Sequence, residues 1–366
     1  MASYILYPAI LMILCLFARE EKNSNYSFFP RTVTLVSAYN EEKHILNRIN
    51  NFLSSDYPPD KSKIIVISDA SSDKTDLLVQ QIKSNRVKLV RQEKRLGKTS
   101  ALNMCLGEVN NSIIIFTDSN TCFTKEAIFQ LTRPFSDPKV GLVSGLQLYK
   151  KTNGEFNTLG LYSKYEFYLK KLESRIGSLA GADGAIYAIK GELFETIPNA
   201  YINDFYHPMN ITNRGYKVVF QKNALAYEES DESFANEINR QIRITTQSAY
   251  IFRKEFLNLI VNKNYKALIC YTGHKAMRWI TIVWLFLFFA INLIQATFYS
   301  SYRELLILQI IFYTICLIGS FSNFLKIKLP YICMMSNFIE INCAMFVGFV
   351  KSFKKEINST WNVRSK

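Results

Sequence analysis

The sequence predicts an α/β fold, a mostly parallel sheet with flanking helices, joined to membrane helices at both ends. Three observations predict it. Two strongly apolar runs, Ile64–Ser68 and Ile113–Thr117, each stop at an aspartate, Asp69 and Asp118. Such runs read as strands buried on both faces, the signature of a parallel sheet. Strand-like and helix-like segments alternate from Thr32 to Leu148, the rhythm of βαβ units. From about Trp279 to Val350 charges nearly vanish, whereas they are plentiful before it. With 366 residues the chain has room for one large domain and an appendage.

At the start, Tyr4–Ala18 is apolar and uncharged. It is shorter than the roughly 20 residues that cross a bilayer comfortably. No basic residue precedes it, so an uncleaved anchor is expected rather than a signal peptide. Arg19, Lys22 and Arg31 follow it, which favours an outside N-terminus and a cytoplasmic main domain. Strands are then expected at Thr32–Ala38, Lys63–Asp69, Val87–Val90, Ser112–Asp118 and Val140–Leu148. Helices are expected at Glu41–Ser54, Thr75–Ser84, Thr99–Cys105 and Lys125–Phe135. Beyond Lys150 come a long helix (Glu155–Arg175), a strand (Ala185–Ile189), a loop at Asn203-Asp204-Phe205, a short strand (Lys217–Phe220) and an amphipathic helix near Ser233–Phe256.

Trp279–Tyr299 and Leu305–Leu325 read as spans. Leu329–Val350 carries Ser336, Asn337, Glu340 and Asn342, the first three on one helical face. Were it a third crossing, the basic tail (Lys351, Lys354, Lys355, Arg364, Lys366) would lie outside, against the positive-inside rule. Either that rule fails here or one segment does not cross; a re-entrant or interfacial course for 329–350 is the expectation. The organisation read from this is an anchor (1–30), an α/β domain (31–271) and a membrane region with two or three spans (272–366).

The formal net charge of +14 includes a cluster from Lys83 to Lys98. Such charge suits anionic lipid and phosphate ligands. Nucleic acid is not expected as a partner, because no recognition motif is present and aromatic residues do not interleave with the basic run. Seven cysteines form no CxxC pair and only three histidines exist, which argues against a zinc site or a disulfide framework.

Ligands of open parallel sheets sit beyond the carboxyl ends of the strands, where Asp69 and Asp118 fall. Asp69 can accept hydrogen bonds from a nucleotide base, while Asp73 and Ser72 are explained by capping the next helix. Asp118 with Asn120 can supply oxygen ligands to Mg²⁺ or Mn²⁺ if a substrate diphosphate completes the shell; a plain turn explains the same residues. Around Gly97-Lys98 a P-loop would need a glycine at position 92, where the chain has Gln92. What remains is a basic entrance to a helix, suited to phosphate or simply solvated. Partial burial would raise the pKa of Asp204 and make it a usable base; otherwise it is ordinary surface. Arg240 and Arg243 share a helix face that meets either a diphosphate or water.

The order of these signals is more telling than any one of them. Tyr39-Asn40-Glu41-Glu42, Asp69…Asp73, Gly97-Lys98, Asp118-Ser-Asn120, Gly181-Ala-Asp-Gly184, Asn203-Asp204 and Arg240-x-x-Arg243 together resemble the family-2 glycosyltransferases over roughly Arg31 to Tyr271. His274-Lys275-Ala276-Met277-Arg278-Trp279 is similar to the membrane-bound branch. The resemblance implies a GT-A fold, inversion, a nucleotide-sugar donor (UDP-linked) and a divalent metal, Mg²⁺ or Mn²⁺. It implies that Tyr39, Glu41 and Asp69 hold the nucleoside, with Lys98 near the diphosphate. Asp118 and Asn120 would bind the metal, Asp204 would be the general base, Arg240 and Arg243 would hold the leaving group, and Asp183 would line the acceptor side. The chain departs from the family pattern at Ser68, at Asn120 and at Ile244, where processive synthases carry a tryptophan.

Three readings follow. The first is transfer to a saccharide acceptor in cell-surface or extracellular polysaccharide synthesis, at the inner or plasma membrane, alongside partner proteins of such a system. The second is transfer to a polyprenyl-phosphate or other lipid acceptor. The third is an inactive relative that binds sugar nucleotides. The spans are too few and too sparsely polar for a transporter.

Overall fold

A computed structural model describes residues 2–18, 27–150, 161–229, 234–324 and 330–354. The strands are β1 (Thr32–Ala38), β2 (Ser62–Ser68), β3 (Val87–Arg91), β4 (Ile113–Asp118), β5 (Cys122–Phe123), β6 (Val140–Lys150), β7 (Tyr187–Lys190) and β8 (Lys217–Glu229). Among the described residues they form one sheet in the order β3-β2-β1-β4-β7-β6-β8-β5. The first four are parallel, β7 runs antiparallel between β4 and β6, and β8 is parallel to β6.

The apolar runs are buried on both faces, as their continuity requires. Every residue of β1 is buried. Leu35, Ile67 and Phe116 enter one core, and Val36, Val66 and Ile115 the other. Registers Ala38↔Ser68 and Ser37↔Asp118 bring the carboxyl ends of β1, β2 and β4 level. The helices of this half are α1 (Tyr7–Leu16), α2 (Ile45–Leu53), α3 (Thr75–Gln80), α4 (Lys98–Asn103) and α5 (Ala127–Thr132).

The second half departs from expectation in two places. The short strand at Lys217 extends to Glu229, because β6 offers a partner along that length. Asp204 lies not in a loop but in the first turn of a helix. Of the helix expected at Glu155–Arg175, residues 155–160 fall outside the described residues. The elements here are α6 (Leu161–Ile176), α7 (Asn203–Asn213), α8 (Phe234–Val261) and α9 (Tyr265–Cys270).

A short α10 (Met277–Trp279) leads into α11 (Thr281–Phe298), α12 (Ser300–Phe324) and α13 (Pro330–Lys351). Thr281–Phe298, Ser300–Ser322 and Tyr331–Lys351 are long and apolar enough to cross a membrane. The N-terminal apolar helix, Ser3–Leu16, is shorter than these, so the span expected there is not seen among the described residues. Its Tyr7, Leu11 and Cys15 pack against Leu169 and Ile176 of α6. Nor is 330–351 a broken, re-entrant segment: α13 is continuous. Its polar groups turn inward, Glu340 Oε1 accepting from Ser320 Oγ at 2.6 Å, while Ser336 and Asn342 are buried.

A buried ionic cluster joins α1, α6 and the segment before α10. His274 lies between Glu173 (2.6 Å) and Glu166 (3.0 Å), and Arg278 pairs with Glu166 at 2.6 Å. The Tyr7 hydroxyl also donates to Glu173. Burial pushes both carboxyls up, but His274 together with Arg278 and Lys275 at Glu166, and with Tyr7 and the Ala180 N–H at Glu173, holds them below the ordinary range.

Candidate active site

Asp69 follows β2 and is fully buried. Its Oδ1 accepts from Gln92 Nε2 and Leu96 N, both at 2.8 Å, and its Oδ2 from Gly97 N at 3.0 Å. The carboxylate thus organises the 92–97 loop. That loop ends at Gly97, whose φ of 95° lies in the left-handed region, and delivers Lys98 as the first residue of α4. Lys98 Nζ donates to Asp118 Oδ1 at 2.6 Å. Burial lowers the Lys98 pKa, but Asp118, Asp204 and Glu228 together leave it raised.

Asp118 ends β4 with its side chain 40% exposed. Asn120 sits in the turn that follows, and the turn is tied down where Thr121 Oγ1 donates to buried Glu228 at 2.7 Å. Among the described residues no group of three or more His, Cys, Asp or Glu side chains is placed to hold a metal. One accessible carboxylate and a nearby amide oxygen fit Mg²⁺ or Mn²⁺ only in company with ligand oxygens, which is how such hard ions are held by diphosphates.

Asp204 is placed by α7 and the 181–184 loop together. Pro208 lies four residues on and has no N–H to give to the Asp204 carbonyl. Ala182 N–H takes that acceptor instead, at 2.8 Å. Gly184 then lies against the carboxylate: a Cβ there would stand 2.7 Å from Asp204 Oδ2. Between them, Asp183 accepts from Gln147 N at 3.0 Å and pairs with Lys170 at 3.5 Å. The Asp204 carboxyl is raised, first by burial; Lys98 and Arg243 pull it down, while Asp118 and Asp183 push it up. Four charged groups from separate elements thus act on this one carboxylate.

Other expected residues lie less centrally. Arg240 is engaged by Glu237 one turn earlier, at 2.8 Å. Tyr39, just beyond β1, lies under the Arg95 guanidinium at 3.9 Å from its ring centre. Glu41 N–H donates to Thr75 Oγ1 at 2.8 Å, and Asp73, expected as the cap of α3 but one residue before its N-cap Lys74, accepts from Thr75 N and Glu42 N.

A buried polar bridge beneath Asp204 was not legible in the sequence. The Tyr187 hydroxyl on β7 meets Asn203 Nδ2 and, at 3.0 Å, His207 Nδ1, residues one before and three after Asp204. Burial pulls His207 down to about 3, so it is neutral. Tyr187 stacks on Phe116, ring centres 4.6 Å apart, two residues before Asp118. Pro208 signals only the Ala182 contact, since a proline inside a helix frees a carbonyl that must find another donor; no local pattern announces the bridge.

Comparison with known proteins identifies the domain and the fold that carry this arrangement. Residues 34–198 match the family described as glycosyl transferase family 2. The chain is 23% identical over 264 residues to the poly-beta-1,6-N-acetyl-D-glucosamine synthase of Staphylococcus aureus (strain COL), covering 69% of this chain and 63% of that protein. The synthase of that name from Staphylococcus epidermidis is 22% identical over 277 residues, covering 72% of this chain and 66% of the relative. The chain therefore spans just under two thirds of the length of these relatives. In fold it is similar to the mannosyltransferase PcManGT from Pyrobaculum calidifontis, solved with GDP-Man and Mn2+, at a TM-score of 0.69 and 20% identity over 97% of this chain and 96% of the other. Aspartates at the carboxyl ends of parallel strands, the matched domain and the shared architecture lead to one assignment: residues 34–198 carry a glycosyl transferase family 2 domain, in a chain built on a GT-A fold.

Proposed function

We propose that the protein moves a sugar from a UDP-linked donor to a saccharide acceptor with inversion, in the synthesis of a cell-surface or extracellular polysaccharide. The observation that carries this reading is the Lys98–Asp118 pair, 2.6 Å apart at the carboxyl edge of the sheet, with the 181–184 loop closing on the Asp204 carboxylate at Gly184. The relatives named as polysaccharide synthases support the acceptor class. On this reading the α/β domain, 31–271, is cytoplasmic, and 272–366 holds it at the inner or plasma membrane.

Tyr39 and Glu41 hold the nucleoside; Asp69, expected to face the base, is buried with both oxygens taken by Gln92, Leu96 and Gly97 and acts through that loop. Lys98 approaches the diphosphate. Asp118 and Asn120 would hold a divalent ion, which when bound would supply charge neutralisation for the leaving diphosphate. Asp204 accepts the proton of the acceptor hydroxyl as that oxygen attacks the anomeric carbon from the face opposite the nucleotide. General-base help of this kind is worth about 10²–10⁴ in rate. Lys98 and Arg243, with Arg240 released from Glu237, stabilise the departing diphosphate. Asp183 and its Lys170 partner line the acceptor side. The raised Asp204 carboxyl suits a base that must take up a proton.

The test is a screen of nucleotide sugars with purified protein in detergent, with and without Mg²⁺ or Mn²⁺, reading free nucleotide and labelled product. Metal-dependent release with label in water-soluble saccharide is expected. Label in the organic phase would replace the saccharide by a lipid acceptor, and no release from any donor would overturn the reading.

A further inference from the structure

The path of α13 contradicts its length. Helices α11 and α12 form an antiparallel hairpin. Arg303 Nε donates to Ala296 O at 3.0 Å, the Asn292 and Gln309 amides meet at 2.7 Å, and Tyr313 OH donates to Leu285 O at 3.3 Å. As α12 advances from 303 to 313, its partners fall from 296 to 285. Its last turns therefore return to the level of Trp279, on the side of the catalytic domain.

Helix α13 meets α12 in those last turns. Cys316 Sγ contacts Met335 O at 3.6 Å, and Ser320 bonds Glu340 at 2.6 Å. An antiparallel third crossing would carry residue 340 to an earlier partner than residue 335; here the partner is four residues later. The far end of α13 is on the domain side as well. Phe349 stacks on Trp279 with ring centres 6.3 Å apart, and Arg253 of α8 donates to Ser352 O at 2.7 Å. Gly348 permits the approach, since a Cβ there would lie 2.7 Å from Ile242 O. Near the middle, Phe338 packs on Tyr4 at 5.8 Å. A helix of 22 residues is about 33 Å long, enough to cross a hydrocarbon core of about 30 Å. Both of its ends nevertheless lie at one end of the hairpin.

We propose that α13 does not cross the membrane but lies along its surface on the catalytic side, with the lipid leaflet of that side covering its outward face. The outward residues suit that occupant: Met334, Val347 and Val350 are exposed and apolar, and exposed Lys351 and Lys354 follow at the end. Apolar side chains enter the acyl boundary while lysines meet anionic headgroups. Two crossings return the basic tail to the domain's side, in keeping with the positive-inside rule. Helix α8, which carries Arg240 and Arg243, is then clamped between the domain and the surface helix, so the leaflet runs beside the candidate site.

The experiment uses the full chain with one epitope at the C-terminus and a second inserted in the Pro59–Lys61 turn, probed by antibody in intact and in opened spheroplasts. Both epitopes are expected to be reached together, only after opening. Both reached without opening would still support the surface helix while reversing the orientation of the domain. One epitope reached in intact spheroplasts and the other only after opening would overturn the proposal, because the tail and the domain would then lie on opposite sides.

Discussion

The ammonium of Lys98 stands 2.6 Å from Oδ1 of Asp118, so the residue proposed to meet the donor diphosphate and the residue proposed to meet its metal are paired with each other. Asp69 sets this contact by holding the preceding loop. Donor binding must divide the pair, which couples loss of one to the behaviour of the other.

Replacing Lys98 by Met should therefore weaken donor binding more than it weakens the fold. A charge-assisted hydrogen bond is worth about 1.5–3 kcal/mol, so donor Kd should rise about 10–100-fold. Both side chains are partly exposed, and the stability change should stay below about 1 kcal/mol. Titration calorimetry with the donor and a thermal melt check the two halves separately.

Asp204→Asn should fold and bind donor but lose about 10²–10⁴ of the transfer rate. In the wild type the acid limb of turnover should lie above the ordinary aspartate value of about 3.9, because burial raises this carboxyl. The sign for stability is opposite to that of a salt-bridged acid. A raised carboxyl favours the fold while protonated, and that contribution is lost as pH rises through its folded pKa. The asparagine variant should therefore melt higher than wild type at neutral pH and lose that advantage in acid. A pH series of rates and melting temperatures tests both statements.

Gly184→Ala should act through Asp204. The added methyl meets Oδ2 at 2.7 Å, and the carboxylate is the part free to move. A displacement near 1 Å costs about 10²-fold in rate, with donor affinity unchanged. Equal losses in donor affinity and turnover would point to a wider distortion of the 181–184 loop.

Tyr187→Phe keeps the stack on Phe116 and removes the hydroxyl between Asn203 and His207. Each buried polar group left alone costs about 1–3 kcal/mol, which chemical denaturation in detergent should register. Turnover should fall as the first turn of α7 loosens around Asp204, with donor KM steady.

Much of the site was legible because a strand buried on both faces announces its own end. The continuous apolar runs before Asp69 and Asp118 placed both at the carboxyl edge without any knowledge of pairing. Asp204 was legible as a candidate but not as a helical residue, because its first turn is held by Ala182, which lies 22 positions earlier. The reach of β8 to Glu229 was hidden for the same reason: a half-buried strand extends as far as its partner does.

By itself the sequence determined the parallel half of the sheet, the apolar hairpin and the identities of the acids, because local periodicity and composition are properties of contiguous residues. Only the tertiary structure decided that Gly184 lies against Asp204, that Tyr187 bridges Asn203 and His207, and that α13 turns back along the domain. Each of these rests on contacts between residues far apart in the chain, where packing and unmatched polar groups, rather than any local pattern, choose the partner.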